Sequence, residues 1–484
     1  MHLKSEMETG KEHDDQFNDE NHEDNYIREG DLNGHQEDTV SFWKMKHPRI
    51  VWFYLFCVFF VMGDQNLMAP NLTEISESLH VDSSKKDLQL GGMCSLLFFG
   101  FGAPSSIIVG RFIDTVHGRN KRLDWLCLMT LWSSVCCIST FLFTWNVVWL
   151  WIWRGMSGMA VGSILPLTAS LLADDYPPQQ RTAIMAVQSI SMGMGISLGQ
   201  AVAGLLTLSW RWPFLIWGSC TFISASLLYT QIPAPKQQQE EDRHNPRETP
   251  LDHQTEWTSN ENDSLWSGTL ILAMLQGAPG CIPWGIVNTY LNDYFSQDCK
   301  FTVPVATVLV MIFGVGNFLG MMACTVITDL VTDLRKLAFL GGLFAVMACA
   351  PLYFVLIPSQ IFWEKALACS ICGVLSAMTG PIVKSTIQNV TSIKTRGQAF
   401  GMLNIWDDIG RGLGPYVVAN LISLCNNQRS TAFLYGGLLG WFICGILNMS
   451  MYLTMSESLF QRSPCIELSS YSRANRRDNV PLLV

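Results

Sequence analysis

The chain is a succession of long apolar runs separated by short polar breaks. Hydrophobic segments fall at approximately 50–70, 88–110, 124–144, 147–173, 182–208 and 213–232. A second set falls at approximately 265–290, 303–327, 337–357, 362–383, 397–424 and 431–455. Crossing a bilayer as helix takes roughly 20 residues, and a helix satisfies its own backbone where no water is available. The pattern therefore predicts an all-α membrane protein with twelve transmembrane helices. The two sets delimit bundles at 49–232 and 265–455, joined by a Gln-, Glu- and Pro-rich linker at 233–264. Residues 1–48 form an acidic, apolar-poor tail and 456–484 a basic, Ser-rich one.

The two sets also repeat. Asp114 and Asp329, Gly158 and Gly373, Pro166 and Pro381, Ser170 and Ser385, Arg181 and Arg396, Gly195 and Gly410, and Gly199 and Gly414 each stand 215 apart (396 − 181 = 215). One offset held through several segments implies two pseudo-symmetric six-helix bundles with a shared site between them at mid-depth. Basic residues collect on alternate loops: Lys44, Lys46, Arg49, Arg111, Arg119, Lys121, Arg122, Arg181, Arg335, Lys336, Lys384, Lys394 and Arg396. By the positive-inside rule that side is cytoplasmic, as are both termini. The opposite loops carry chiefly Lys85, Lys86, Arg211, Lys300 and Arg429, with a glycosylation sequon at Asn71-Leu72-Thr73.

Composition agrees with a polytopic chain. Of 484 residues 49% are hydrophobic and 17 are Trp, while the net charge of −9 comes largely from the tails and linker. Most of the 15 cysteines sit inside apolar runs, where a thiol behaves as a small hydrophobe, so they form neither a disulfide framework nor a metal cage. Cys299 and Cys425 are the exception: both fall in non-cytoplasmic loops of one half, where a disulfide is open to them. No nucleophile–base pair, metal ligand set or cofactor motif emerges, so the expectation is a protein without cofactor that is not an enzyme.

The eleventh segment departs from the rule. It carries Asn404, Asp407, Asp408 and Arg411, which at ~100° per residue fall within an arc of about 100°. Ionisable groups at that depth face a water-filled path or pair with one another, which leaves two readings: a transport site, or a structural ion pair of Asp407 with Arg411. Asp64 in the first segment and Arg154 in the fourth add two further embedded charges. The sharper reading has Arg154 and Arg411 holding an anionic group while Asp407 or Asp408 exchanges a proton. In the blander one Arg154 braces its own bundle. Gln200, Asn288, Gln276, Gln188 and Asn404 either line a cavity or join helices. Trp284 either stacks on substrate or packs, and Glu364 and Lys365 read as interfacial, with the lysine snorkelling.

Gly110-Arg-Phe-Ile-Asp114 followed by Gly118-Arg119-Asn-Lys121-Arg122, between segments 2 and 3, resembles the signature loop of the major facilitator superfamily, with one residue inserted. Arg154-Gly-Met-Ser-Gly158 resembles that superfamily's embedded arginine motif. Gly195 to Gly204 and Gly410 to Pro415 are similar to its glycine-proline motif, with Gln200 in place of the first proline. Within the superfamily the chain looks most like the spinster group, on Gln276-Gly-Ala-Pro-Gly-Cys-Ile-Pro-Trp-Gly285, Leu291-Asn-Asp-Tyr294 and Ala173-Asp-Asp-Tyr176. It departs from that group in having Gln65 after Asp64, and Val161 where an acid is usual.

The resemblance implies secondary transport of a small organic or amphipathic anion by alternating access. A lysophospholipid or sphingoid lipid is the implied cargo and protons the coupling ion, in a lysosomal, endosomal or plasma membrane. Gly110, Asp114, Gly118, Arg119, Asp174, Arg181, Asp329 and Arg396 would then form the cytoplasmic gating motif, Arg181 and Arg396 pairing with the acids. Asp478 with Leu482 and Leu483 has the form that sorting adaptors read. An uncoupled facilitator of a polar metabolite, or a transporter-fold receptor signalling through its tails, are the competing expectations.

Overall fold

A computed structural model describes residues 48–114, 121–176, 178–206, 209–231, 267–331, 333–391 and 396–455. Both tails, the linker and the loop holding Gly118 and Arg119 lie outside them. The first half comprises α1 (Pro48–Gly63), α2 (Leu72–Ser78), α3 (Met93–Asp114), α4 (Arg122–Phe143), α5 (Val147–Asp175), α6 (Pro178–Leu205) and α7 (Trp212–Tyr229). In the second half come α8 (Gly268–Leu275), α9 (Gly277–Gln297), α10 (Val303–Leu330), α11 (Leu334–Leu356), α12 (Phe362–Val390), α13 (Arg396–Leu424) and α14 (Arg429–Thr454). No strand occurs among the described residues. Ten helical stretches are long and apolar enough to cross a membrane, α8 and α9 counting as one. The other two long helices, α6 and α13, have 28 and 29 residues and are more polar.

Helix ends follow local chemistry. The Asn146 side chain accepts from the backbone N–H groups of Val148 and Trp149 to start α5. That of Asp333 does the same for Arg335 and Lys336 at the start of α11. The first crossing is interrupted: α1 stops at Gly63 and gives way to 3₁₀ turns at Asp64–Asn66 and Ala69–Asn71 before α2 resumes. Asp64 and Asn66 are weak helix formers whose side chains compete for backbone groups, and Pro70 has no N–H to offer. The second crossing opens with a π-helical turn, Asp87–Gly92.

Glycines set how closely the helices approach. A Cβ on Gly158 would land on the Phe98 carbonyl oxygen, and one on Gly373 on that of Phe313, so α5 meets α3 as α12 meets α10. Phe98 and Phe313 are themselves 215 apart (313 − 98 = 215). Gly195 packs on Phe59 and Gly199 on Gly63, as Gly410 packs on Ala278 and Gly414 on Ile282. Here the partners are 219 apart (278 − 59 and 282 − 63). The first half thus spends four more residues between its first two crossings, one helical turn, in the stretch where the 3₁₀ and π turns occur.

Four expectations are corrected. Segments 1 and 7 run on past residues 70 and 290, to Ser78 and Gln297: Leu72, Ile75 and Ser76 are buried in the first extension, and Asn292, Asp293 and Ser296 in the second. Asn71 lies within the first crossing and donates to the Ala203 carbonyl at 2.9 Å, so the sequon is built into the helix packing. Lys365 does not snorkel: it is fully buried, and its Nζ donates to the carbonyls of Phe354, Val355 and Ile357, capping the C-terminus of α11. Cys299 and Cys425 are free thiols, Cys299 being turned into the core.

Gly158→Val and Gly373→Val should each lower thermal stability in detergent by roughly 1–3 kcal/mol, the usual cost of overpacking. Gly100→Val, where a Cβ meets nothing within 4 Å, should change it little. Equal melting temperatures for all three would contradict this packing.

Candidate functional site

Three polar constellations lie along the seam between the halves. The first fills the break in the first crossing. Arg154 Nη1 donates to the carbonyl oxygen and to Oδ1 of Asp64, both at 3.0 Å, and Nη2 to the carbonyl of Gln65 at 2.9 Å. Ser157 and Cys137 also donate to the Asp64 carboxylate, and the guanidinium lies 4.6 Å from the centroid of Phe98. Asp64 is 1% exposed. One arginine therefore neutralises a buried acid and adds bonds to two carbonyls at the break in the helix.

The second is a central cavity of about 480 Å³, counting the space open to solvent at its mouth. Its polar lining includes Asn66, Ser95, Arg154, Asn288, Thr289 and Arg411, and its apolar walls include Leu72, Leu90, Phe98 and Phe99. Asn66 donates to Gln200 at 3.2 Å and to Asn288 at 3.4 Å, and Ser95 meets Thr289 at 3.2 Å, so both halves contribute. Arg411 Nη1 lies 3.3 Å from Asp408 and Nη2 3.7 Å from Asp407, and its side chain keeps 34% exposure. Two carboxylates against one guanidinium leave this trio with a formal charge of −1 when all are ionised.

The third constellation closes one end, and sequence reasoning missed it. Arg429, at the start of α14, reaches Asp298 at 2.7 Å, Asp293 at 2.8 Å and Asp87 at 2.9 Å. Lys86 donates to Asp293 at 2.7 Å and to Thr73 at 2.9 Å, while Thr73 donates to Asp293 at 2.6 Å. Tyr290 donates to the carbonyls of Asp87 and Pro415, its ring stacked on Phe433. Lys86, Asp87 and Thr73 belong to the first half and the remaining residues to the second, so this cluster ties the bundles together. Asp298 stands beyond the last turn of α9; burial pushes its carboxyl up, and the Arg429 guanidinium draws it back down. The available signal was the acid in Leu291-Asn-Asp-Tyr294 set against the scarce basic residues Lys86 and Arg429. The expected placement of those two in loops concealed it.

The structure divides the predicted site residues. Arg154, Asn288 and Arg411 line the central cavity. Asp64 is sealed beneath Arg154, and Gln200 is buried behind Asn66. Asp407 and Trp284 line a second cavity inside the second half, where Trp284 packs edge-on against Phe313 and Trp441. Asp408 is held by Arg411, and Asn404 is exposed and lines neither cavity. At the opposite end Gly110 has open space where a Cβ would stand. The side chains of Asp114, Asp174, Arg181, Asp329 and Arg396 lie outside the described residues.

Residues 54–415 match the family described as the Major Facilitator Superfamily. The chain is 22% identical over 401 residues to the "Uncharacterized MFS-type transporter YwfA" of Bacillus subtilis, covering 79% of this chain and 88% of that one. It is 22% identical over 389 residues to "Protein spinster homolog 3" of Homo sapiens, covering 76% and 74%. Among solved structures, a bacterial homolog of the human lysosomal transporter Spinster, inward-facing and occupied, superposes with a TM-score of 0.58 at 15% identity, covering 84% of this chain and 96% of that one. A D-xylose-proton symporter superposes with a TM-score of 0.62 at 15% identity, covering 84% and 97%.

Removing one partner of a buried ion pair costs ~3–5 kcal/mol, and for the pair that crosses the seam, Arg429 with Asp87, that cost falls on the closed state alone. Arg429→Gln should therefore favour opening there. Thr289→Cys, in the central cavity, should react with a membrane-impermeant maleimide at least about tenfold faster in the Arg429→Gln background when the reagent is applied from that end. An unchanged labelling rate would show that the cluster does not hold the end shut.

Proposed function

This chain belongs to the Major Facilitator Superfamily, and from that premise we propose that it is a proton-coupled secondary transporter of a small organic or amphipathic anion. The observation that carries the reading is Arg411: a guanidinium one-third exposed in a cavity that both halves build and that is lined by amides and hydroxyls together with Phe, Leu and Met. A charged head with an apolar body, as in a lysophospholipid, matches that mixed lining. The chain's similarity to spinster proteins supports the same class of cargo.

Coupling follows from the charge count. With Asp407 and Asp408 both ionised, Arg411 has two anionic partners and little attraction for a third. A proton on either acid removes one partner and leaves the guanidinium available. Proton and anion then favour each other's binding, and linkage makes the effect reciprocal. The Arg154–Asp64 pair, by contrast, serves to hold the broken first crossing in shape. The Arg429 end faces away from the cytoplasm, on the positive-inside count, and the tail motif at Asp478, Leu482 and Leu483 supports an endolysosomal address.

The cargo is identified by comparing the lipids and metabolites of vesicles with and without the protein. For that cargo, binding should strengthen as pH falls. Arg411→Ala should weaken it about tenfold or more, the value of one charge-assisted contact, at every pH. Asp407→Asn and Asp408→Asn should each flatten the pH dependence while leaving insertion in the membrane intact. Unaltered pH dependence in both Asn variants would remove the coupling, leaving an uncoupled facilitator.

A further inference from the structure

Asp407 closes one wall of a second cavity that shares no lining residue with the central one. It lies wholly within the second half and measures about 510 Å³, counting the space open to solvent at its mouth. Gly380 and Lys384 stand at its mouth, both exposed and one turn apart on α12. From there it reaches inward to Gln276, Cys281 and Cys444. Lys384 and Asp407 bring charge to this space, and the hydroxyls of Ser376 and Thr379, which donate to the carbonyls of Gly373 and Gly341, keep acceptor lone pairs for water.

The geometry puts Asp407 between two compartments. On one side Arg411 Nη2 stands 3.7 Å from its Oδ2 and opens on the central cavity; on the other lies the side cavity. The carboxylate is held there by a close wall: a Cβ on Gly277 would stand 2.6 Å from Asp407 Oδ1. The titratable groups facing it are Arg411 and Asp408 on its own helix, Lys384 on α12, Cys281 on α9 and Cys444 on α14. We infer that the side cavity is a water-filled proton route to Asp407, distinct from the path of the cargo, so that proton and anion reach the Asp407–Arg411 pair from opposite sides. A proton entering at Gly380 and Lys384 passes along water to the Asp407 carboxylate, which becomes the neutral acid, and Arg411 loses one of its two anionic partners. This deepens the proposed coupling and rests on it.

The test uses the full chain in vesicles and needs no cargo. A Cβ on Gly380 meets nothing within 4 Å, so Gly380→Leu fills the mouth without displacing a neighbour. After a pH jump, infrared difference spectra should show a carboxyl band that is absent in Asp407→Asn. That band should form about an order of magnitude more slowly in Gly380→Leu, and within about twofold of the parent rate in Thr289→Trp, which plugs the central cavity instead. Gly380→Cys, folded first and then blocked with N-ethylmaleimide, should reproduce the slowing and so exclude a folding defect. Cys127, Cys220, Cys349 and Cys425 are part-exposed, so the parent protein treated with the same reagent, which should keep its rate, is the control. A parental rate in the blocked protein, or slowing by Thr289→Trp alone, would overturn the separate route while leaving the coupling intact. Absence of any band assignable to Asp407 would instead overturn coupling through that residue, and this inference with it.

Discussion

Inside a bilayer a polar group has to find its partner within the protein, because lipid offers none. That constraint organises the whole chain. Its most consequential expression is Arg154, which meets a carboxylate and two backbone carbonyls at the point where the first crossing unwinds. Without that guanidinium the buried Asp64 carboxylate would have no counter-charge at the heart of the first bundle. With it, an irregular segment lines the seam and presents Asn66 to the second half.

The same rule governs the two other charged constellations, with different results. Around Arg429 the partners come from both halves, and its bond to Asp87, like that of Lys86 to Asp293, is made only while that end is closed. Around Arg411 they come from its own helix, three and four residues back, so the pairing travels with the helix through any movement of the bundles. An arginine whose partners are local keeps its site ready for a ligand; one whose partners lie across a seam acts as a latch. The glycine approaches that pack α6 on α1 and α13 on α9 belong to the same design, since they bring whole helices, charged residues included, to the seam.

These placements fit a member of the Major Facilitator Superfamily with alternating access, and they explain why α6 and α13 are the least apolar of the long helices. Both lie on the seam, where Gln200 and Arg411 are used, and neither can be clad in lipid-soluble side chains on every face. Lys365 shows the complementary case. Lining neither cavity, it is spent on the carbonyls that end α11.

What the sequence determined by itself was whatever depends on local composition or on a constant offset. Twelve apolar runs, the 215-residue repeat, the signature motifs and the embedded residues Asp64, Arg154, Asp407, Asp408 and Arg411 were all legible, because hydrophobicity and glycine spacing are written along one dimension. Tertiary structure alone decided the partners. Asp87, Asp293, Asp298, Lys86 and Arg429 are scattered from residue 86 to 429, and nothing in their local context marks them as one cluster. Nor does helical periodicity tell that Asp407 and Arg411, four residues apart on one face, open on different cavities. Which side of a carboxylate meets water is settled by the neighbouring helices, and those arrive from distant parts of the chain.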